Sequence, residues 1–100
     1  MRALDAAMDD VELATADLPA PLAALHLPSL RANLDYTVRR AGGTRVRIAS
    51  KSVRVRKVLE LALGEDLSGG DEIRGVMAFS LREALWLVEC GCRDVLLGYP

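Results

Sequence analysis

Thr44-Arg45-Val46-Arg47-Ile48-Ala49-Ser50-Lys51-Ser52 decides how this chain is read. Val46 and Ile48 fall on one side of an extended segment and Arg45 and Arg47 on the other, the period-two pattern of a half-buried strand. Gly42-Gly43 just before it stops a helix whose apolar positions, Leu30, Leu34, Thr37, Val38 and Ala41, recur at helical spacing. Just after it, Ser52 suits a helix cap, and Val55, Val58, Leu59, Ala62 and Leu63 supply the apolar stripe of the next helix, with Gly64 near its end. A strand over 44–50 therefore hands directly into a helix, with Lys51 at the junction.

Working outward, the same alternation repeats. Residues 65–72 form a polar loop, and Ile73–Phe79 is a second extended run. Ser80 caps a further helix, Glu83 completes a capping box, and Leu81, Leu85, Leu87 and Val88 give that helix its apolar surface. Gly91 closes it, and Val95–Gly98 reads as a last strand ahead of Tyr99-Pro100. Towards the amino terminus, Pro19 and Pro21 favour extended backbone. The apolar run Leu22–Leu27 is then compatible with a leading strand, and Pro28-Ser29 marks a break. Residues 1–17 form an acidic, Ala-rich leader with a weakly amphipathic turn or two.

Strand, helix, strand, helix, strand, helix, strand is the signature of α/β construction with a parallel sheet and right-handed crossovers. The short helix-to-strand loops suit a barrel or a doubly wound sheet. Neither the Gly-x-Gly-x-x-Gly dinucleotide fingerprint nor a Walker-type phosphate loop is present.

Composition narrows the class. The chain has 100 residues, 51% of them hydrophobic and 4% aromatic, with a net charge of −1. That is one domain's length, and enough to bury a core without metal or disulfide staples. It is well short of the roughly 250 residues of a closed (β/α)8 barrel. No apolar run reaches membrane-spanning length, and Asp5, Asp9, Asp10 and Glu12 occupy the place a signal peptide would keep apolar. A cytoplasmic protein without membrane association is expected. Near-neutrality hides segregation: Tyr36–Leu59 holds no acid but contains Arg39, Arg40, Arg45, Arg47, Lys51, Arg54, Arg56 and Lys57. Such a cluster serves either as a solvated helix surface or as a site for phosphate or nucleic acid. With only Tyr36 at its edge, it lacks the interleaved aromatics of a nucleic-acid site.

Only two lysines occur, against eleven arginines. Lys57 lies within a helix and reads as a solvated side chain. Lys51 sits at the carboxyl end of a strand, where β/α folds gather ligands and catalytic groups. An amine placed there, in the positive potential of Arg47 and Arg54, is suited to form a Schiff base.

Four segments in order carry a family resemblance: Leu27-Pro28-Ser29-Leu30-Arg31-Ala32-Asn33-Leu34, Arg47-Ile48-Ala49-Ser50-Lys51-Ser52, Met77-Ala78-Phe79-Ser80-Leu81-Arg82-Glu83-Ala84 and Asp94-Val95-Leu96-Leu97-Gly98-Tyr99-Pro100. Over residues 18–100 the chain resembles the alanine-racemase-type (fold-type III) barrel enzymes, within them the D-threonine aldolase and D-serine dehydratase-like branch (amino acid deaminase/aldolase). The resemblance implies a truncated N-terminal portion of a pyridoxal 5′-phosphate-binding (β/α)8 TIM barrel, about three barrel strands plus a leading strand. It implies that Lys51 carries the cofactor as a Schiff base and acts in catalysis, and that Arg47, four positions earlier, is a cofactor-pocket residue. It also brings Ser80 close to the cofactor.

The implied activity is a lyase acting on small D-3-hydroxy amino acids, by retro-aldol cleavage of D-threonine or β-elimination from D-serine. A homodimer is implied for the full-length protein. So is a divalent metal held by C-terminal residues beyond position 100, and the chain as given is expected to be inactive. A racemase, or a non-catalytic carrier of pyridoxal phosphate, would share every feature present here. A phosphate- or nucleic-acid-binding β/α domain would instead rely on Arg39–Lys57.

The chain departs from the family in one place that matters. Many members read Arg-Pro-His-x-Lys-Thr-His-Lys around the lysine, where this sequence has Arg47-Ile48-Ala49-Ser50-Lys51-Ser52-Val53-Arg54. Both histidines are missing, which leaves substrate choice open. His26 is read as structural, Cys90-Gly91-Cys92 as small residues around a helix-ending glycine, and Trp86 as packing. Tyr99 follows a strand and is placed either at the mouth of the site or in packing.

Overall fold

The computed structural model describes residues 2–99, so Pro100 of the Tyr-Pro ending lies outside the described residues. The chain divides into two compact units at Tyr36/Thr37.

The first unit contains α1 (Arg2–Thr15) and most of α2 (Leu27–Ala41). Ala-rich sequence and Asp5 in the first turn favour α1, which buries no residue. It is longer than the one or two turns expected. The leading strand expected at Leu22–Leu27 is not formed: residues 22–26 are irregular and Leu27 already begins α2. A run of Leu and Ala favours helix over strand, and Leu22 and Leu25 are exposed rather than packed in a sheet. His26 caps α2 in place of a conventional cap residue. Its Nδ1 accepts from the Ser29 backbone N–H at 3.3 Å and lies 2.7 Å from Ser29 Oγ, while Nε2 reaches Asp10 at 3.1 Å. Pro28 is therefore in the helix's first turn, where its missing N–H costs nothing, and does not mark a break.

The second unit begins with the end of α2, stopped by Gly42 and Gly43 at positive φ. It continues through β1 (Val46–Ala49), a 3₁₀ turn (Ser50–Ser52), α3 (Arg56–Leu63), β2 (Ile73–Ala78), α4 (Leu81–Glu89) and β3 (Val95–Leu97). The three strands form one parallel sheet in the order β1-β2-β3. This is an α/β fold with a small parallel sheet, and four α-helices lie among the described residues. Ser52 does not cap α3; Val55 takes that position without a side-chain hydrogen bond.

Register explains the layering. Ile48, Val76 and Val95 are partners across the sheet and share one face. On that face Leu59 and Leu63 of α3 and Leu87 of α4 close a core with Leu67, Val76, Ala78 and Cys92. Both crossover helices thus cover the same side. Arg47, Ala49, Gly75, Met77 and Leu96 belong to the opposite face, where Leu96 remains 50% exposed. Among the described residues no helix is long and apolar enough to cross a membrane.

Candidate active site

The carboxyl ends of the three strands bring together side chains from positions 50 to 99. β1 ends in the 3₁₀ turn that carries Ser50 and Lys51. β2 is followed by Phe79 and Ser80, and β3 by Gly98 and Tyr99. Parallel pairing forces this convergence, because all three carboxyl ends lie on one edge of the sheet.

Lys51 is exposed, and its Nζ donates to Tyr99 Oη at 3.2 Å. The same ammonium stands 5.8 Å from the centroid of the Tyr99 ring. Tyr99 packs against Phe79 at 5.5 Å between centroids, with the rings tilted by 58°. The guanidinium of Arg54 sits over the other aromatic, 4.6 Å from the Phe79 centroid. Arg54 Nε also pairs with Glu83 Oε2 at 3.5 Å.

Glu83 then leads back to the strand. Its Oε1 accepts a hydrogen bond from Ser50 Oγ, which also contacts the Met77 carbonyl at 3.3 Å. Ser50 is 1% exposed, so these two acceptors satisfy a hydroxyl that would be costly to bury alone. Ser80 caps α4 as expected, its Oγ accepting from the Glu83 N–H at 3.2 Å. The reciprocal half of the capping box is diverted, because the Glu83 carboxylate turns to Ser50 and Arg54. A sequence reading limited to local spacing assigns Glu83 to the cap; only the fold reveals the second use.

Arg47 lies elsewhere. From the open face of β1 its Nη1 donates to Asp94 Oδ1 at 2.7 Å and to the Asp94 carbonyl at 3.3 Å. Asp94 immediately precedes β3, so this ion pair marks the amino edge of the sheet, opposite the Lys51 edge. Arg74 approaches the same carboxylate at 3.8 Å. The Arg47 hydrogen bond holds the Asp94 carboxyl below the ordinary carboxylate range, and the Arg47 and Arg74 charges add to that effect.

Lys57 pairs with Glu60 at 2.9 Å, as does Arg56 at 3.0 Å, and the Lys57 contact leads in lowering the Glu60 pKa. Cys90 and Cys92 are free thiols at the end of α4, where Gly91 takes a positive φ. Burial pushes the Cys92 thiol up. Among the described residues no group of three His, Cys, Asp or Glu side chains could hold a metal ion.

No family model, curated protein or solved structure matches the chain.

The Lys51 edge can present an amine to an aldehyde-bearing cofactor. It offers one exposed primary amine, two adjacent aromatic rings and an uncovered sheet face. Arg47, engaged with Asp94, lies at the other edge.

Proposed function

We propose that this chain is the opening segment of a pyridoxal 5′-phosphate-dependent (β/α)8 barrel lyase, and that Lys51 is its cofactor lysine. The observation that carries the reading is the position of the Lys51 amine. It stands at the carboxyl end of the first strand of the sheet, exposed, and bonded to a residue from the end of the third. Sheet order supports the barrel. Sequential parallel strands with both crossover helices on one face extend naturally into a closed barrel, whereas a doubly wound sheet reverses direction to cover both faces.

Pyridoxal phosphate, when bound, supplies an electron sink for charge developing at the substrate Cα. The chain's own contribution is to present and orient an amine. Lys51 Nζ is the attachment point and, once released, holds or donates a proton at the substrate. The Tyr99 ring, packed on Phe79, flanks that amine, and Arg54 places positive charge over Phe79. Glu83 and Ser50 fix the turn from which Lys51 projects.

The substrate class follows from the resemblance: D-threonine, cleaved to glycine and acetaldehyde, or D-serine, converted to pyruvate and ammonia. A divalent metal assisting at the β-hydroxyl would need ligands outside the described residues, and no step is assigned to it. The phosphate- or nucleic-acid-binding alternative is less favoured, because Arg47, Arg54, Arg56 and Lys57 already face carboxylates.

Assays of the full-length protein with pyridoxal phosphate and each D-amino acid, with and without divalent metal, test the reading. One of the two product pairs is expected, and Lys51→Ala should abolish its formation. Alanine racemisation alone would refute the lyase assignment. Salt-sensitive DNA binding unaffected by Lys51→Ala would favour the basic-cluster alternative.

A further inference from the structure

We propose that Tyr99 is a positioning residue of this site, its hydroxyl holding the Lys51 amine in the orientation that reacts with an aldehyde. The inference rests on the assignment of Lys51 above and adds the group that controls it.

Three observations converge on Tyr99. Its Oη is 3.2 Å from Lys51 Nζ. A phenol hydroxyl accepts from an ammonium and donates to a neutral amine, so the contact serves both protonation states through which such an amine must pass. Secondly, the ring is itself braced. Phe79 packs on it at 5.5 Å, and Arg54 covers Phe79 at 4.6 Å. Thirdly, the bracing returns to the lysine, since Arg54 pairs with Glu83 and Glu83 accepts from Ser50, the residue before Lys51. Ser50, next to Lys51, and the Tyr99 ring are thereby joined through one connected set of side chains.

The alternative is that Tyr99 only packs. Its exposure of 38% leaves room for the ring to serve as a partial cover for Phe79 alone. Tyr99→Phe separates the two roles, because it keeps the ring and removes only the hydroxyl.

Lys57 provides an internal reference. It is the only other lysine, it lies on α3, and it is paired with Glu60 at 2.9 Å. Full-length wild-type, Tyr99→Phe and Tyr36→Phe proteins would be incubated with pyridoxal 5′-phosphate, quenched with borohydride at timed intervals and digested. The Lys51 and Lys57 adducts would then be quantified by peptide mass spectrometry, with thermal melting of each variant alongside. Wild type should label Lys51 well ahead of Lys57. In Tyr99→Phe, the Lys51 rate should fall about tenfold, as for loss of a hydrogen bond to a charged group, with the Lys57 rate and melting midpoint unchanged. Tyr36→Phe should behave as wild type. An unchanged Lys51 rate in Tyr99→Phe overturns the role of Tyr99 and leaves the Lys51 assignment standing. A wild-type label that favours Lys57, or is absent, overturns both.

Discussion

Arg47 crosses the open face of the sheet to bond Asp94, Nη1 to Oδ1 at 2.7 Å, and it does so directly over Gly75. A Cβ on Gly75 would stand 2.3 Å from the Asp94 carbonyl oxygen and 2.9 Å from Arg47 Nη1. The ion pair therefore depends on the absence of a side chain on the intervening strand. β1, β2 and the start of β3 are tied together through that gap.

Gly75→Ala should consequently be expensive for so small a change. The clash is with backbone, which cannot rotate away, so a loss of about 1–3 kcal/mol is expected in urea denaturation. Gly70, where an added Cβ meets nothing within 4 Å, is the matched control and should tolerate alanine far better. Equal losses at the two positions would contradict the packing described.

Acid should act through the same pair. Asp94 and Glu60 hold their protons less tightly in the folded chain than an unperturbed carboxylate does. Their contribution is thus present above the ordinary carboxylate value of about 4 and is lost as pH falls through the lower folded values. Stability of the wild type should decline more steeply than that of Asp94→Asn between about pH 5 and pH 2. Parallel declines would show that Asp94 titrates as an unpaired group.

The two faces of α4 should respond differently to truncation. Leu87 is 0% exposed in the core, and Leu87→Ala should cost about 2–5 kcal/mol. Leu85 is 57% exposed, and Leu85→Ala should stay within about 0.5 kcal/mol. Guanidinium melts of both variants would check the orientation of the helix, and a reversed order would refute it.

The two cysteines should also separate. Cys92 is buried with its thiol pushed up, whereas Cys90 is partly exposed. Iodoacetamide applied to the native protein should modify Cys90 first and reach Cys92 only on unfolding. Equal rates under native conditions would mean that this corner of the core opens readily.

Local signals carried most of the second unit. Alternation at Val46 and Ile48, the Gly42-Gly43 stop and the Ser80 cap each depend on neighbours a few residues away, and each element appears where these place it. Leu22–Leu27 failed as a strand because six residues of Leu, Ala and His have no intrinsic β preference. The cap at Ser52 failed because Ser52 closes the 3₁₀ turn and residues 53–55 still precede α3. Site geometry was legible only in part. Lys51 and Tyr99 could each be placed at a strand end, but a contact across 48 positions has no local signature. Glu83 was hidden more thoroughly, since its spacing from Ser80 already had a sufficient explanation.

The central claim is that Lys51 is the cofactor lysine, and reduction mapping addresses it most directly. Full-length protein mixed with pyridoxal 5′-phosphate, reduced with borohydride and digested should yield a single dominant modified peptide bearing the adduct at Lys51, absent from Lys51→Ala. An adduct at Lys57, or none at either lysine, would contradict it.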